Sequence, residues 1–266
     1  MTPDVSAPGE DQQETLAEGS LISHLVELRS RLMKAAAAIL IIFICLVPFA
    51  QEIFTLIATP LMDKLPEGST MIATQVASPF LTPFKLSLFV ALFLAMPVVL
   101  TQAWYFVAPG LYLKEKRFAF PLVLSSIVLF YAGVAFAYFV VFPLMFAFFT
   151  AAAPEGVTMM TDINAYLDFI LTLFFAFGIA FEVPIATVML VWSGLVPLKT
   201  LARARGYVFL GAFVAGMLLT PPDVISQTLL AIPVYLLYET GLLMARLFGP
   251  TAGDSDDKDV TDDADD

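Results

Sequence analysis

The sequence predicts an all-α integral membrane protein with six transmembrane helices. Of its 266 residues, 59% are hydrophobic and only 14% charged, where a soluble domain runs near roughly 45–50% apolar and about 25% charged. Mean hydropathy is +0.87. The apolar residues, including 25 Phe, fall in long uncharged runs and not in alternation. That pattern selects helices over a membrane barrel.

Runs free of charge at 35–51, 86–113, 118–154, 169–198 (broken only by Glu182), 206–222 and 224–238 place the helices. Their expected limits are Leu32–Ala50, Leu86–Val107, Phe118–Phe149, Tyr166–Trp192, Tyr207–Leu219 and Ile225–Leu242. Ahead of the first, Leu21, Leu25, Leu28 and Leu32 keep helical spacing, so an amphipathic helix leads into the membrane. Glu27 and Arg31 form an (i, i+4) pair on it, worth a few tenths of a kcal/mol.

Between the first two helices lies a long loop, 51–84, punctuated by Pro60, Pro66, Pro79 and Pro83. It keeps Ile53, Phe54, Leu56, Ile57, Leu61 and Met62, so it reads as a folded cap with short interfacial helices. The loop after the second helix carries Lys114, Glu115, Lys116 and Arg117. Glu27 and Glu115 are thus acids set among bases. Each is either a solvated pair partner or an acceptor for an incoming guanidinium. The third helix, about 32 residues or roughly 48 Å, exceeds a hydrocarbon core of about 30 Å, so it must tilt, bend or protrude. Pro121, Gly133 and Pro143 are the candidate adjustment points.

The fourth helix holds Glu182 inside Gly178-Ile179-Ala180-Phe181-Glu182-Val183-Pro184. A carboxylate at that depth costs at least a few kcal/mol unless protonated, paired or hydrated. It is either a structural acid or a polar point in a water-accessible concavity. Pro184 withholds the amide that would serve the carbonyl of Ala180. The fifth helix has about 13 residues, or roughly 20 Å, and the last two helices together make a short hairpin that cannot comfortably span an unperturbed bilayer, so local thinning is expected there. The tight turn Thr220-Pro221-Pro222-Asp223 joins them, and Asp223 caps the sixth helix. Gln227 follows four residues later on the same face, giving a polar stripe available to a partner helix.

Eleven of the 13 Lys and Arg fall on one side of this topology, leaving only Lys64 and Lys85 on the other. Both termini are therefore expected in the cytoplasm. Thirteen of the 24 acids lie in residues 1–18 and 254–266, so the net charge of -11 describes the ends. The expected organisation is an acidic flexible tail over 1–19, a membrane domain over 20–245, and an Asp-rich flexible tail over 246–266. The acidic first residues lack the apolar core of a signal peptide. Cys45 is the single cysteine, which excludes an intrachain disulfide and a CxxC motif. There is no phosphate-binding glycine motif. His24, the one histidine, lies outside the spans, so an intramembrane enzyme lacks its base. No cofactor, metal site or nucleic-acid partner is implied. On these residues alone, an ion-coupled small-solute transporter using Glu182 and Asp223 stays open beside a receptor.

His24-Leu25-Val26-Glu27-Leu28-Arg29 with Arg31-Leu32, Ser78-Pro79-Phe80, Trp104 through Arg117, Phe181-Glu182-Val183-Pro184, and Met217 through Glu239 occur in an order that resembles the TatC family. These are the multispanning subunits of the twin-arginine protein translocase of bacteria and plastids. The resemblance covers roughly 20–245. It implies a concave cup of six helices in the bacterial inner membrane and a non-enzymatic receptor for twin-arginine signal peptides. Such a receptor exports folded proteins with the proton-motive force. By the same resemblance, Glu27 and Glu115 form the arginine site, with Arg29, Phe106 and Leu111 beside it. Glu182 is the intramembrane acid of the cup, and Met217, Thr220 and Gln227 dock single-span TatA- and TatB-type partners in a multimeric complex. Pro60 matches a position important to assembly.

Overall fold

The computed structural model describes residues 10–62, 70–107, 116–152, 160–219 and 224–248. Residues 1–9 and 249–266 of the expected tails, and the loop positions Leu111, Glu115, Thr220 and Asp223, lie outside the described residues. Residues 10–19 and 246–248, expected in those flexible tails, are instead helical, within Glu10–Leu46 and Val224–Phe248. The elements in order are α1 (Glu10–Leu46), a 3-10 turn (Val47–Phe49), α2 (Ala50–Met62), β1 (Thr70–Ile72), α3 (Ser78–Val107) and α4 (Lys116–Phe136). A π-helical turn (Ala137–Val141) leads to α5 (Phe142–Ala152), β2 (Met160–Asp162), α6 (Ile163–Ala180) and α7 (Val183–Trp192). The chain continues with α8 (Leu198–Arg203), α9 (Arg205–Leu219) and α10 (Val224–Phe248).

Among the described residues, five stretches are long and apolar enough to cross a membrane: Ile22–Ile57, Ser78–Val107, Phe120–Ala152, Ile163–Trp192 and Gln227–Leu247. The fifth expected helix, α9, has 15 residues, or roughly 22 Å, and falls short of a bilayer core as its sequence foretold. The sixth, α10, expected to be short as well, has 25 residues and is long enough to cross. The chain is a multi-pass, all-α membrane protein. Helix α2 supplies the short helix expected in the first long loop. Pro60 is one of its residues, with its side chain outside the described set. The strands were not expected. Thr70 pairs with Met160, Met71 with Thr161 and Ile72 with Asp162 in a parallel ladder, too short to leave a periodic trace in sequence.

The chain divides into two compact units. The first joins Met1–Ile127 with Phe146–Leu171. Here α1 packs along α3, whose buried face includes Leu86, Ala91, Ala95, Met96, Leu100 and Trp104. Most apolar side chains of α1, among them Leu32, Met33, Leu40 and Ile41, remain exposed. That surface suits lipid and not water. A polar ladder ties α3 to the start of α6: Asn164 donates to Ser78 and accepts from Thr82, and Lys85 pairs with Asp168. Below it, Asp162 caps α6. Its Oδ1 accepts from the backbone of Asn164 (2.9 Å) and Ala165 (3.1 Å), and its Oδ2 from the amide (2.9 Å) and hydroxyl (2.6 Å) of Thr74. The Thr74 hydroxyl, followed by these amides, holds the Asp162 carboxyl down to about 2.

The second unit joins Val128–Met145 with Thr172–Asp266. Helices α4 and α6 cross at reciprocal glycines. A Cβ on Gly133 would stand 2.4 Å from the carbonyl oxygen of Phe177, and one on Gly178 would stand 2.5 Å from the Phe130 ring. Small residues at such crossings let backbones approach. Helix α10 meets α7 the same way, with a Cβ on Gly241 placed 2.8 Å from the Cα of Pro184. The expected adjustment in the long third helix is the π turn. The amide of Phe142 bonds the carbonyl of Ala137, immediately ahead of Pro143. The proline withholds its own amide, and widening the turn re-registers the ladder.

Two predictions follow from this packing. Gly133→Ala should cost about 1–3 kcal/mol by overpacking, whereas Gly211→Ala, with nothing within 4 Å of the added carbon, should leave the thermal midpoint in detergent unchanged. Asp162 has a depressed folded pKa, so its contribution is present above the unfolded carboxyl value near 4 and is lost as pH falls through about 2. Thermal midpoints of wild type and Asp162→Ala should therefore differ at pH 6 and converge towards pH 2.

Candidate functional site

In the first unit, Glu27 and Arg31 lie one turn apart on the face of α1 that meets the end of α3. Arg31 donates from Nε (3.0 Å) and from Nη2 to the same carboxylate oxygen of Glu27, Oε1. Its guanidinium carbon stands 5.5 Å from the centre of the Tyr105 ring, within cation–π range. One turn earlier, His24 stacks on Phe106 at 4.4 Å with the planes 21° apart. Trp104 anchors this end of α3, donating from its buried indole to the Ser126 hydroxyl of α4 at 2.8 Å. The site therefore presents a half-exposed carboxylate against an aromatic edge. Such a surface takes a planar cation, which can bond the carboxylate and stack on a ring.

The structure brings Glu27 and Phe106 onto the same contact, through His24 and Arg31. Arg29 is exposed and forms no ion pair among the described residues. Leu111 and Glu115 lie outside those residues. Sequence reasoning missed His24 and Tyr105 as parts of this surface. His24 stands three residues before Glu27, one helical turn away, and that spacing was the available signal. Asp162 was also missed, although an Asp directly before an apolar run is a helix-start signal.

In the second unit, Glu182 sits where the fourth span breaks. Helix α6 stops at Ala180 and α7 begins at Val183. Pro184 falls in the first turn of α7, where a missing amide costs nothing, and the Glu182 carbonyl accepts from Ala186 at 2.8 Å. One helix was expected over Tyr166–Trp192, with Pro184 leaving the Ala180 carbonyl to a partner or a bend. The proline instead separates two helices. Glu182 is 9% exposed, and its side chain does not cap α7. Beside the break, Phe136 packs on the rings of Phe177 and Phe181.

The hairpin of α9 and α10 is tied at both ends. Gln227 donates from Nε2 to the Phe213 carbonyl at 2.8 Å, so its amide nitrogen braces the hairpin itself. At the other end Arg205 grips Glu239 with two parallel bonds, Nε to Oε1 at 2.7 Å and Nη2 to Oε2 at 2.9 Å. Tyr235 adds a hydroxyl to Glu239 at 2.9 Å, and the Tyr238 hydroxyl donates to the Leu201 carbonyl at 2.7 Å. Met217 is 52% exposed on α9. Thr220 and Asp223 lie outside the described residues.

Comparison with known proteins agrees with this layout. The family model described as Sec-independent protein translocase protein (TatC) matches residues 23–233. A Sec-independent protein translocase protein TatC of Azotobacter chroococcum is 64% identical, over 84% of this chain and 87% of that protein. The same-named protein of Escherichia coli K12 is 54% identical, over 86% of this chain and 88% of that protein. A crystal structure of the twin-arginine translocase receptor TatC is 39% identical and superposes with a TM-score of 0.75, over 84% of this chain and 98% of that one. The chain belongs to the TatC family, the core subunits of the Sec-independent protein translocase.

Proposed function

We propose that this chain is the signal-peptide receptor of a twin-arginine translocase in a bacterial inner membrane, with both termini in the cytoplasm. The single observation that carries the reading is the Glu27 carboxylate, which already holds a guanidinium against the aromatic edge of α3. A signal peptide bearing consecutive arginines offers that same group twice. Glu27 receives one, and Glu115 receives the other. Arg29, Phe106 and Leu111 belong to the same surface.

The apolar stretch of the peptide then enters the membrane towards Glu182. Buried acids at membrane depth mark substrate paths, which supports giving it that place. Met217, Thr220 and Gln227 dock TatA- and TatB-type single-span helices, and Pro60 supports assembly. The proton-motive force drives transport of the folded cargo, and the work is binding and gating, not bond chemistry. The acidic segments 1–19 and 246–266 flank a membrane domain of 20–245 as tails. Family membership removes the ground for the small-solute transporter.

The test is binding of a twin-arginine signal peptide and its twin-lysine counterpart to purified protein in detergent. Wild type should prefer arginine. Glu27→Ala and Glu115→Ala should each weaken it by about tenfold or more, the size of a lost charge-assisted bond. Folded wild type with no arginine preference, even with a TatB-type partner added, would refute the receptor. Met217→Ala and Gln227→Leu should keep peptide binding and weaken co-purification of the single-span partner several-fold. Undiminished recovery of the partner would remove the docking role.

A further inference from the structure

Glu27 is occupied before any peptide arrives. Both bonds from Arg31 converge on Oε1, and among the described residues Oε2 accepts none. The pair is not sealed: the Glu27 side chain is 39% exposed and that of Arg31 22%. Arg31 also has a second seat, because its guanidinium lies over Tyr105. The contact between Arg31 and Glu27 is chemically the one that a peptide arginine would make.

Resting on the receptor reading, we propose that Arg31 is a resident competitor for the signal-peptide site and sets its affinity threshold. An incoming guanidinium lands first on the open Oε2, which still has unused acceptor capacity. It then displaces Arg31 from Oε1. The displaced side chain keeps its face on Tyr105, so its charge is not left without a partner. A partly exposed (i, i+4) ion pair is weak, and a bidentate newcomer overcomes it readily. Isolated basic residues of the proteome, which offer a single point charge or one poorly placed fork, gain less and stay below the threshold.

Competition makes a prediction that support does not. A residue that merely orients Glu27 would weaken peptide binding when removed. A competitor would strengthen it. The experiment is the same titration with Arg31→Gln, which keeps a polar stem and removes the charge, and with Arg31→Lys, which keeps the charge and loses the fork. Arg31→Gln should tighten the twin-arginine and twin-lysine peptides alike by about two- to five-fold, the strength range of exposed ion pairs. Their ratio should be preserved, and Arg31→Lys should show a smaller gain. If wild type binds with arginine preference and Arg31→Gln binds equally or more weakly, the competitor role is refuted and the receptor stands. Should Arg31→Gln not fold, an unchanged or weakened Arg31→Lys refutes it equally. Wild type with no arginine preference overturns both.

Discussion

A bilayer core contains no water to satisfy a backbone amide or carbonyl, and the irregularities in the described spans carry local remedies for that. The π turn at Ala137–Val141 keeps the ladder bonded up to Pro143. The break at Glu182 places Pro184 in a first turn, where no amide is needed. Hydroxyls follow the same rule. Ser87 bonds the carbonyl of Pro83, Thr187 that of Val183, Thr228 that of Val224 and Thr240 that of Leu236, each one turn back on its own helix. Trp104 finds Ser126, and Gln227 finds Phe213. With polar groups settled this way, the helices can meet through small residues, as at Gly133, Gly178 and Gly241.

The two compact units use different adhesives. In the first, polar and ionic pairs recur: Glu27 with Arg31 midway along α1, and, towards the starts of α3 and α6, Asn164 with Ser78 and Thr82, Lys85 with Asp168, and Asp162 with Thr74. The second is held by close backbone approach and aromatic packing, with the Arg205–Glu239 fork as its main ionic contact. Exposed ion pairs contribute little stability individually. Their value lies in fixing orientation, and the surface proposed for the signal peptide is one whose orientation is fixed by weak, exchangeable bonds.

Span positions were legible because twenty-residue apolar runs admit few alternatives. The ends of α3, α7 and α9 fall at the expected Val107, Trp192 and Leu219. Glu182 and Gln227 stood out for the opposite reason, as polar residues in apolar surroundings. The strand pair was illegible because three residues carry no period. The Asn164 ladder and the His24–Phe106 stack join positions more than eighty residues apart, and no local pattern encodes such pairings. Glu27 lay between. The sequence showed its helical partner Arg31 but not the ring of Tyr105, which comes from the packing of α1 on α3.

The α9–α10 hairpin is pinned near each end, by Gln227 on Phe213 and by Arg205 on Glu239. A lone short helix could straighten its angle to the membrane or slide against its neighbour to relieve a length mismatch. This one cannot do either independently, so in a bilayer thicker than α9 is long the lipid would have to absorb the difference as elastic strain. Two inclusions that pinch the same membrane cost less side by side than apart, since their strained collars merge. In such a bilayer the hairpin would attract any other undersized helix before the two are in contact, with no need for a complementary surface.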